Sequence, residues 1–223
     1  MKAGNQNYPD PGKLPEVIPV FPLPAALLLP RADMPLNIFE PRYMAMIDQA
    51  LCTDRVIGMI QPGDGESACD EGGGLCQVGC AGRITSFAET GDDRYVVTLT
   101  GIARFTVVEE ITSDQEFRLC RISARGFAED FSSADEESVD RRTVLKTFRD
   151  YLSANDLQAD WDSVGRASNE ILVNTLAMMA PFGPAEKQAL LEAPDLRARA
   201  ETLIAITELV LARDKAGGEH ALQ

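Results

Sequence analysis

Acyl transfer by a Ser-His-Asp or Cys-His pair requires an imidazole held by a rigid frame. The only histidine in the 223-residue chain is His220, in the tail AGGEHALQ, where fraying is expected. A Ser-Lys dyad would need a desolvated lysine. Lys2, Lys13 and Lys215 lie towards the chain ends, and Lys146 and Lys187 stand among charged neighbours on predicted helices, so all five read as solvated. Phosphate binding by a glycine-rich turn calls for G-x-x-x-x-G-K-[ST] or G-x-G-x-x-G, and neither occurs. The run EGGGLC has glycines but no following helix, and its acidic surroundings would repel phosphate.

Cys69, Cys76 and Cys80 fall close enough together to raise the question of zinc. If the strand that holds Cys80 starts at Cys76, their sulfurs stand about 13 Å apart at roughly 3.3 Å per residue. That is too far for one tetrahedral ion, and no second Cys or His pair completes the set. Paired carboxylates at Glu109-Glu110, Asp92-Asp93, Asp135 to Glu137 and Asp160 with Asp162 fall in turns, strand ends or linkers. Without an apolar pocket to separate their pKa values they read as solvated surface. The residues therefore predict no catalytic set, no metal site and no cofactor.

The elements around these residues change character once along the chain. From Val17 to about Phe127 short β-branched runs are closed by prolines, and VGCAGRITSFAE, TGDD and RYVVTLTGIARFTVVEEI predict two long strands joined at Thr90 to Asp93. Tyr95, Val97 and Leu99 share one face of the second strand, and Gly101 interrupts it where a bulge or bend fits. FRLCRISARGF supplies another strand. Pro41 suits a first helical turn, and Tyr43, Met46, Ile47 and Leu51 form one apolar stripe, so a helix interrupts the strands and packs on their sheet. The acidic, glycine-rich segment from Pro62 to Gly74 has nothing to bury and reads as a mobile loop.

After the apparent linker EDFSSADEES the pattern is helical. A first helix over 139–154 carries Val144, Phe148, Tyr151 and Leu152 on one side, and Ser163 is placed to cap a second that ends near Pro181. Pro184 begins a short third, and Pro194-Asp195 precedes a fourth with Leu196, Leu203 and Val210 in heptad spacing. The expected class is α+β: a β-rich subdomain over 13–128, a helical bundle over 134–216, and flexible tails at 1–12 and 217–223.

The balance of 21 basic against 35 acidic residues gives a net charge of −14. It is spread as −6 up to residue 128 and −8 beyond it, so neither half offers the clustered cations that nucleic acid or an anionic membrane surface requires. The apolar stretches PLPAALLLP and ILVNTLAMMAPF are short of the roughly 18 residues that span a bilayer. With no apolar leader at the start and an odd five cysteines, a cytoplasmic setting with reduced thiols is expected.

Three segments together resemble one family. The stretch PLNIFEPRYMAMIDQAL, with Pro35, Leu36, Ile38, Phe39, Glu40, Pro41, Arg42 and Tyr43, resembles the start of the Lon protease N-terminal, substrate-binding domain. VGCAGRITSF and LTGIARFTV are similar to that family's paired long strands, with Gly79, Gly82, Ile84, Gly101, Arg104 and Phe105 in place, and PFGPAEKQALLEAPDLRARAETL is similar to its helical end. The resemblance implies an N-terminal PUA-like β pseudobarrel with one packed helix followed by a C-terminal helical bundle. It also implies a non-catalytic protein-recognition module that binds unfolded or apolar-exposing polypeptides, as an adaptor with a protease or chaperone partner. The chain ends before an ATPase loop or Ser-Lys protease domain begins, which suggests a free-standing form.

Within that expectation, Glu40, Pro41, Arg42 and Tyr43 after Phe39 form a structural motif at a strand-to-helix corner, and Leu23, Pro24 and Leu27 are candidates for an exposed apolar lip that contacts substrate. The competing reading makes Leu27 to Leu29 a core strand. The alternative function is a PUA-like small-ligand or RNA-binding domain, of which RNA is disfavoured by the charge.

Overall fold

The alternation between Val78 and Ile111 folds, in the computed structural model, into two long antiparallel strands joined by a turn in which Thr90 N donates to Arg94 O at 3.1 Å. The structure describes residues 1–63, 74–132, 136–155 and 157–220, with 214–220 described for their backbone alone. In chain order the strands are β1 (Lys2–Ala3), β2 (Gln6–Asn7), β3 (Val17–Pro22), β4 (Asp33–Ile38), β5 (Val56–Ile60), β6 (Val78–Glu89), β7 (Tyr95–Ile111) and β8 (Arg118–Ser123). Helix α1 (Pro41–Cys52) lies between β4 and β5. Beyond β8 come α2 (Arg141–Ala154), α3 (Trp161–Arg166), α4 (Asn169–Met179), α5 (Pro184–Glu192) and α6 (Leu196–His220).

These elements form two compact units, Met1–Ser133 with Phe182–Leu191, and Ala134–Pro181 with Glu192–Gln223. The expected boundary placed all of 134–216 in the helical part, yet most of α5 joins the strands. Hydrogen bonds account for it: Gln61 Nε2 donates to Pro184 O at 3.1 Å, Gln188 Nε2 to Val78 O at 3.1 Å and Arg104 Nη1 to Leu191 O at 3.3 Å. Residues 1–12, expected as a tail, also belong here. β1 and β2 pair as a hairpin, Ala3 and Tyr8 are buried, and the Met1 ammonium donates to Phe131 O at 2.8 Å. At the other end α6 continues to His220, and 221–223 lie outside the described residues.

The main sheet of the β unit runs β4-β7-β6-β5-β3-β8, and β8 pairs again with β7. Five strands thus close a circuit, with β4 outside it. Only β3 and β5 run parallel. The long β7 makes closure possible because its first half pairs with β4 and β6 and its second half with β6 and β8. The pairing with β6 slips near Gly101, where a bulge bends the strand. A Cβ on Gly101 would lie 2.1 Å from Leu29 O, so only glycine admits the backbone that crosses there. Phe105, fully buried, fills the interior against Gly58 and Gly79.

The segment read as a linker holds one half of a buried ion pair. Arg125–Phe131 forms a 3-10 turn that presents Asp130 to Arg104, with 6% and 3% of these residues exposed. Asp130 Oδ2 accepts from the backbone N and Nε of Arg104, both at 2.9 Å, and Oδ1 accepts from Nη2 at 2.8 Å. The guanidinium also lies 4.7 Å from the Phe127 ring. Phe131 is buried beside the pair, so the EDF of the supposed linker is core. Of the expected loop between Pro62 and Gly74, residues 64–73 lie outside the described residues, and Gly63 N donates to Gly74 O at 2.8 Å across its ends.

In the helical unit side-chain caps set the boundaries. Asp140 Oδ1 accepts from Arg142 N and Thr143 N to start α2, and Asp195 Oδ1 accepts from Ala198 N to start α6. The expected single helix from Ser163 to Pro181 is two helices. Asp160, not Ser163, caps α3, and Ser168 caps α4 by accepting from Ile171 N. Arg141 from α2 holds the break open by donating to Val164 O at 2.9 Å and Asn169 Oδ1 at 2.8 Å. Val144, Tyr151, Leu172, Val173, Leu196 and Leu203 are buried between α2, α4 and α6.

Breaking the buried Arg104–Asp130 pair by Asp130→Ala should lower the unfolding free energy by about 3–5 kcal/mol, because the guanidinium stays buried without its partner. Urea unfolding should show that loss. The double replacement Arg104→Met with Asp130→Leu should recover most of it.

Candidate binding surface

The corner between β4 and α1 assembles five consecutive residues with different roles. Pro41 opens the helix, and the Glu40 backbone supplies its N-cap without a side-chain cap bond. Arg42 Nε donates to Glu40 Oε2 at 3.0 Å, with both side chains about half exposed. Tyr43 is buried, its ring 4.2 Å from that of Phe21, and the Arg42 guanidinium lies 4.6 Å over it. Burial raises the Tyr43 pKa, with the nearby Arg42 charge opposing. Phe39 is the exception, with 61% of its surface exposed.

The proposed lip does not stay together. Leu23 is half-buried and Pro24 exposed, whereas Leu27 is only 2% exposed. Ala25, at φ 58°, turns the chain, and its N–H donates to Gln61 Oε1 at 2.9 Å. The chain then drops inward, so Leu27, Leu28 and Leu29 are buried in irregular backbone rather than in a lip or a strand. Leu28 takes space left by Gly82, and Leu29 takes that left by Gly101.

Exposed apolar side chains gather instead at the far end of the β4–β7–β6 ribbon. Register aligns Ile38 with Tyr95 and Glu89, Asn37 with Val96 and Ala88, and Leu36 with Val97 and Phe87. Phe87 is 37% and Val96 41% exposed, on opposite faces of the ribbon. The Phe87 and Tyr95 rings meet edge to face at 5.0 Å. With Phe39 at the adjoining corner, these residues present aromatic and aliphatic surface beyond the closed circuit. Strand alternation alone marks Phe87 and Val96 as facing opposite ways. Their exposure follows from tertiary structure, because β4 lies outside the circuit.

The titratable groups examined from sequence are mostly committed to structure. Glu109 accepts from Arg121 Nε at 2.8 Å and Glu110 from Arg118 Nε at 2.6 Å. Asp160 caps α3, and Lys146 pairs with Asp150. Cys80 and Cys120 are buried, and burial pushes the Cys120 thiol up to about 11. Cys69 lies outside the described residues. Among the described residues no group of three His, Cys, Asp or Glu side chains could hold a metal ion.

Lys187 departs from its expected solvated state. It is 2% exposed on α5, its ammonium 5.8 Å from the Phe182 ring, and burial lowers its pKa to about 8. Charged neighbours on a predicted helix imply solvent, but most of α5 joins the β unit. In the helical unit, Arg149, Leu152, Leu157, Gln158 and Trp161 line an open cleft of about 290 Å³, with the Arg149 guanidinium 4.5 Å over the Trp161 ring.

Comparison with known proteins places this geometry. The family model for the ATP-dependent protease La (LON) substrate-binding domain matches residues 17–208. The Lon protease 2 of Myxococcus xanthus is 26% identical over 201 residues, which are 86% of this chain and 23% of that protein. The Lon protease of Desulfosudis oleivorans is 33% identical over 103 residues, 46% of this chain and 13% of its own. The chain thus spans about a quarter or less of the length of these relatives. A Lon N-terminal domain protein from Xanthomonas campestris superposes with a TM-score of 0.59 at 21% identity, over 85% of this chain and 97% of that one. The N-terminal domain of the Mycobacterium avium complex Lon protease gives 0.62 at 17% identity, over 86% and 98%. These structures share the fold.

Two replacements test the structural roles assigned here. Tyr43→Ala should destabilise the protein by about 3–5 kcal/mol through the cavity it leaves, whereas Arg42→Ala should cost under about 1 kcal/mol. For Lys187 the folded pKa, about 8, lies below the ordinary 10.5, so the unfolded chain binds more protons between these values. Its burial therefore costs most below pH 8, and stability recovers as pH rises to 10.5. Lys187→Met should remove this rise, so that chemical denaturation shows the parent gaining stability relative to the variant between pH 8 and 10.5.

Proposed function

Because the chain belongs to the Lon substrate-binding domain family, we propose that it is a non-catalytic module that captures polypeptides exposing apolar segments, as an adaptor for a protease or chaperone partner. The observation that carries this reading is the exposure of Phe39 at the corner after β4, with Val96 and Phe87 exposed on the two faces of the adjoining ribbon end. Exposed apolar side chains that lie close together, as Phe39 and Val96 do at this end of β4 and β7, mark candidate binding surface. Burying them against a client recovers about 25 cal/mol per Å² before the entropy of association is subtracted.

The remaining features support the same division of labour. The charge of −14 keeps a module with an apolar patch soluble, and it repels phosphate backbones. The closed circuit of strands, with β4 and α1 attached, fits a PUA-like pseudobarrel, and the helices after residue 134 fit an accompanying bundle. Among the described residues no helix is long and apolar enough to cross a membrane. Small-ligand binding is the alternative, and the observation favouring it is the cleft beside Trp161.

The test uses a permanently unfolded, carboxymethylated protein as the client. Association should be measurable by fluorescence anisotropy, and Phe39→Ser combined with Phe87→Ser should weaken it at least about tenfold, as loss of a binding hot spot does. The double variant should stay folded with a lowered melting temperature, since Phe39 is largely exposed and Phe87 loses its contact with Tyr95. Unchanged association in a folded double variant sinks this assignment. Loss of binding on Trp161→Ala alone would move the site to the helical cleft.

A further inference from the structure

We propose that the free edge of β4 is where the client's backbone binds, with an extended, basic segment of a non-native protein adding as a further strand. The proposal rests on the polypeptide-binding reading above and specifies its geometry and its preferred client chemistry. β4 pairs with β7 alone, and among the described residues no strand occupies its other side. An unpaired edge is a template for another extended chain.

The direction of each backbone group follows from the ladder. Gly101 N donates to Ala32 O at 2.9 Å, just before β4, and antiparallel bonding pairs alternate. Met34, Leu36 and Ile38, opposite Leu99, Val97 and Tyr95, are therefore the residues that bond to β7. Asp33, Pro35 and Asn37 turn their backbone groups outward. Pro35 agrees independently, because a residue without an N–H belongs where the strand faces away from its neighbour. The outward edge thus offers three carbonyls but only two N–H groups, so a guest strand must chiefly supply donors.

Charge selects the guest. Asp33 and Glu40 stand at the two ends of β4, and Glu89, Asp92 and Asp93 lie at the adjoining ribbon tip. Two nearby arginines pair with two of these carboxylates, Arg42 with Glu40 and Arg94 with Asp92, so the net negative charge comes from Asp33, Glu89 and Asp93. Arg31 is turned away, donating to Asp130 O and Ser132 O. A client alternating lysine or arginine with apolar residues would place its cations near these carboxylates and its apolar groups near Phe39 and Val96.

The experiment uses the full chain and a short labelled peptide alternating lysine with leucine and phenylalanine. Methylating the amide nitrogens of one alternate set should weaken binding at least about tenfold, while methylating the other set changes little, because only one edge of the guest pairs. Replacing lysine by glutamate should weaken binding about tenfold at low salt, with the gap closing as salt rises. Equal affinity for both methylated peptides and the parent would overturn strand addition while leaving apolar capture by the module intact. Failure of the peptides and of the carboxymethylated client alike would remove the underlying reading as well. A stable dimer in sedimentation that the peptide does not dissociate would assign the edge to a second copy and overturn the proposal.

Discussion

The buried pair of Arg104 and Asp130 is the interaction on which the β unit turns. Arg104 sits on β7, the strand shared by both halves of the closed circuit, and its carboxylate partner comes from the turn after β8. Taking both charges out of water costs several kcal/mol per ion, which a single contact would not recover. Here the carboxylate accepts three hydrogen bonds from one residue, backbone included, and an aromatic ring covers the guanidinium. With Leu191 O as a further acceptor, one side chain joins β7, the 3-10 turn and the end of α5. The direction in which the turn leaves the circuit of strands is thereby specified.

Around that point the glycines and the leucine run act together. The backbone from Leu23 to Ala32 has to cross from the end of β3 to the start of β4, and the missing side chains of Gly101 and Gly82 leave room for Leu29 and Leu28 on the way. Leu27 to Leu29 then become interior filling, and β4 emerges outside the circuit with one side unpaired. The motif Phe39 to Tyr43 divides accordingly: Tyr43 anchors the corner from within, Glu40 and Arg42 pair at the surface, and Phe39 is left for other contacts.

Local pattern made the long hairpin of β6 and β7, the helix from Pro41 and the short helix at Pro184 legible from sequence, because each is set by alternation, proline placement or apolar spacing within a few residues. The misread residues depend on distant partners. Asp130 stands in a polar run and finds Arg104 26 residues away. Lys187 has charged neighbours in sequence yet faces the β unit, and Tyr8 is buried by a hairpin too short for periodicity to announce. Leu27 fails in the opposite sense, since an apolar run beside prolines suits a surface lip as well as a plug. At the proposed binding surface, the motif predicts a structural corner for Phe39 rather than exposure, and Phe87 and Val96 needed the topology that leaves their ribbon uncovered.

The return of Phe182–Leu191 to the strands makes the β unit discontinuous, with 134–181 inserted within it. A chain leaving the ribosome therefore has every strand of the circuit before it has Pro184 and Leu191, whose carbonyls satisfy Gln61 and Arg104. The order of synthesis and the order of completion differ. Helices that are translated later than the strands are available to fold before the unit they interrupt is finished, and a gene fragment cut at the compositional boundary near residue 130 would encode the strands without their last acceptors.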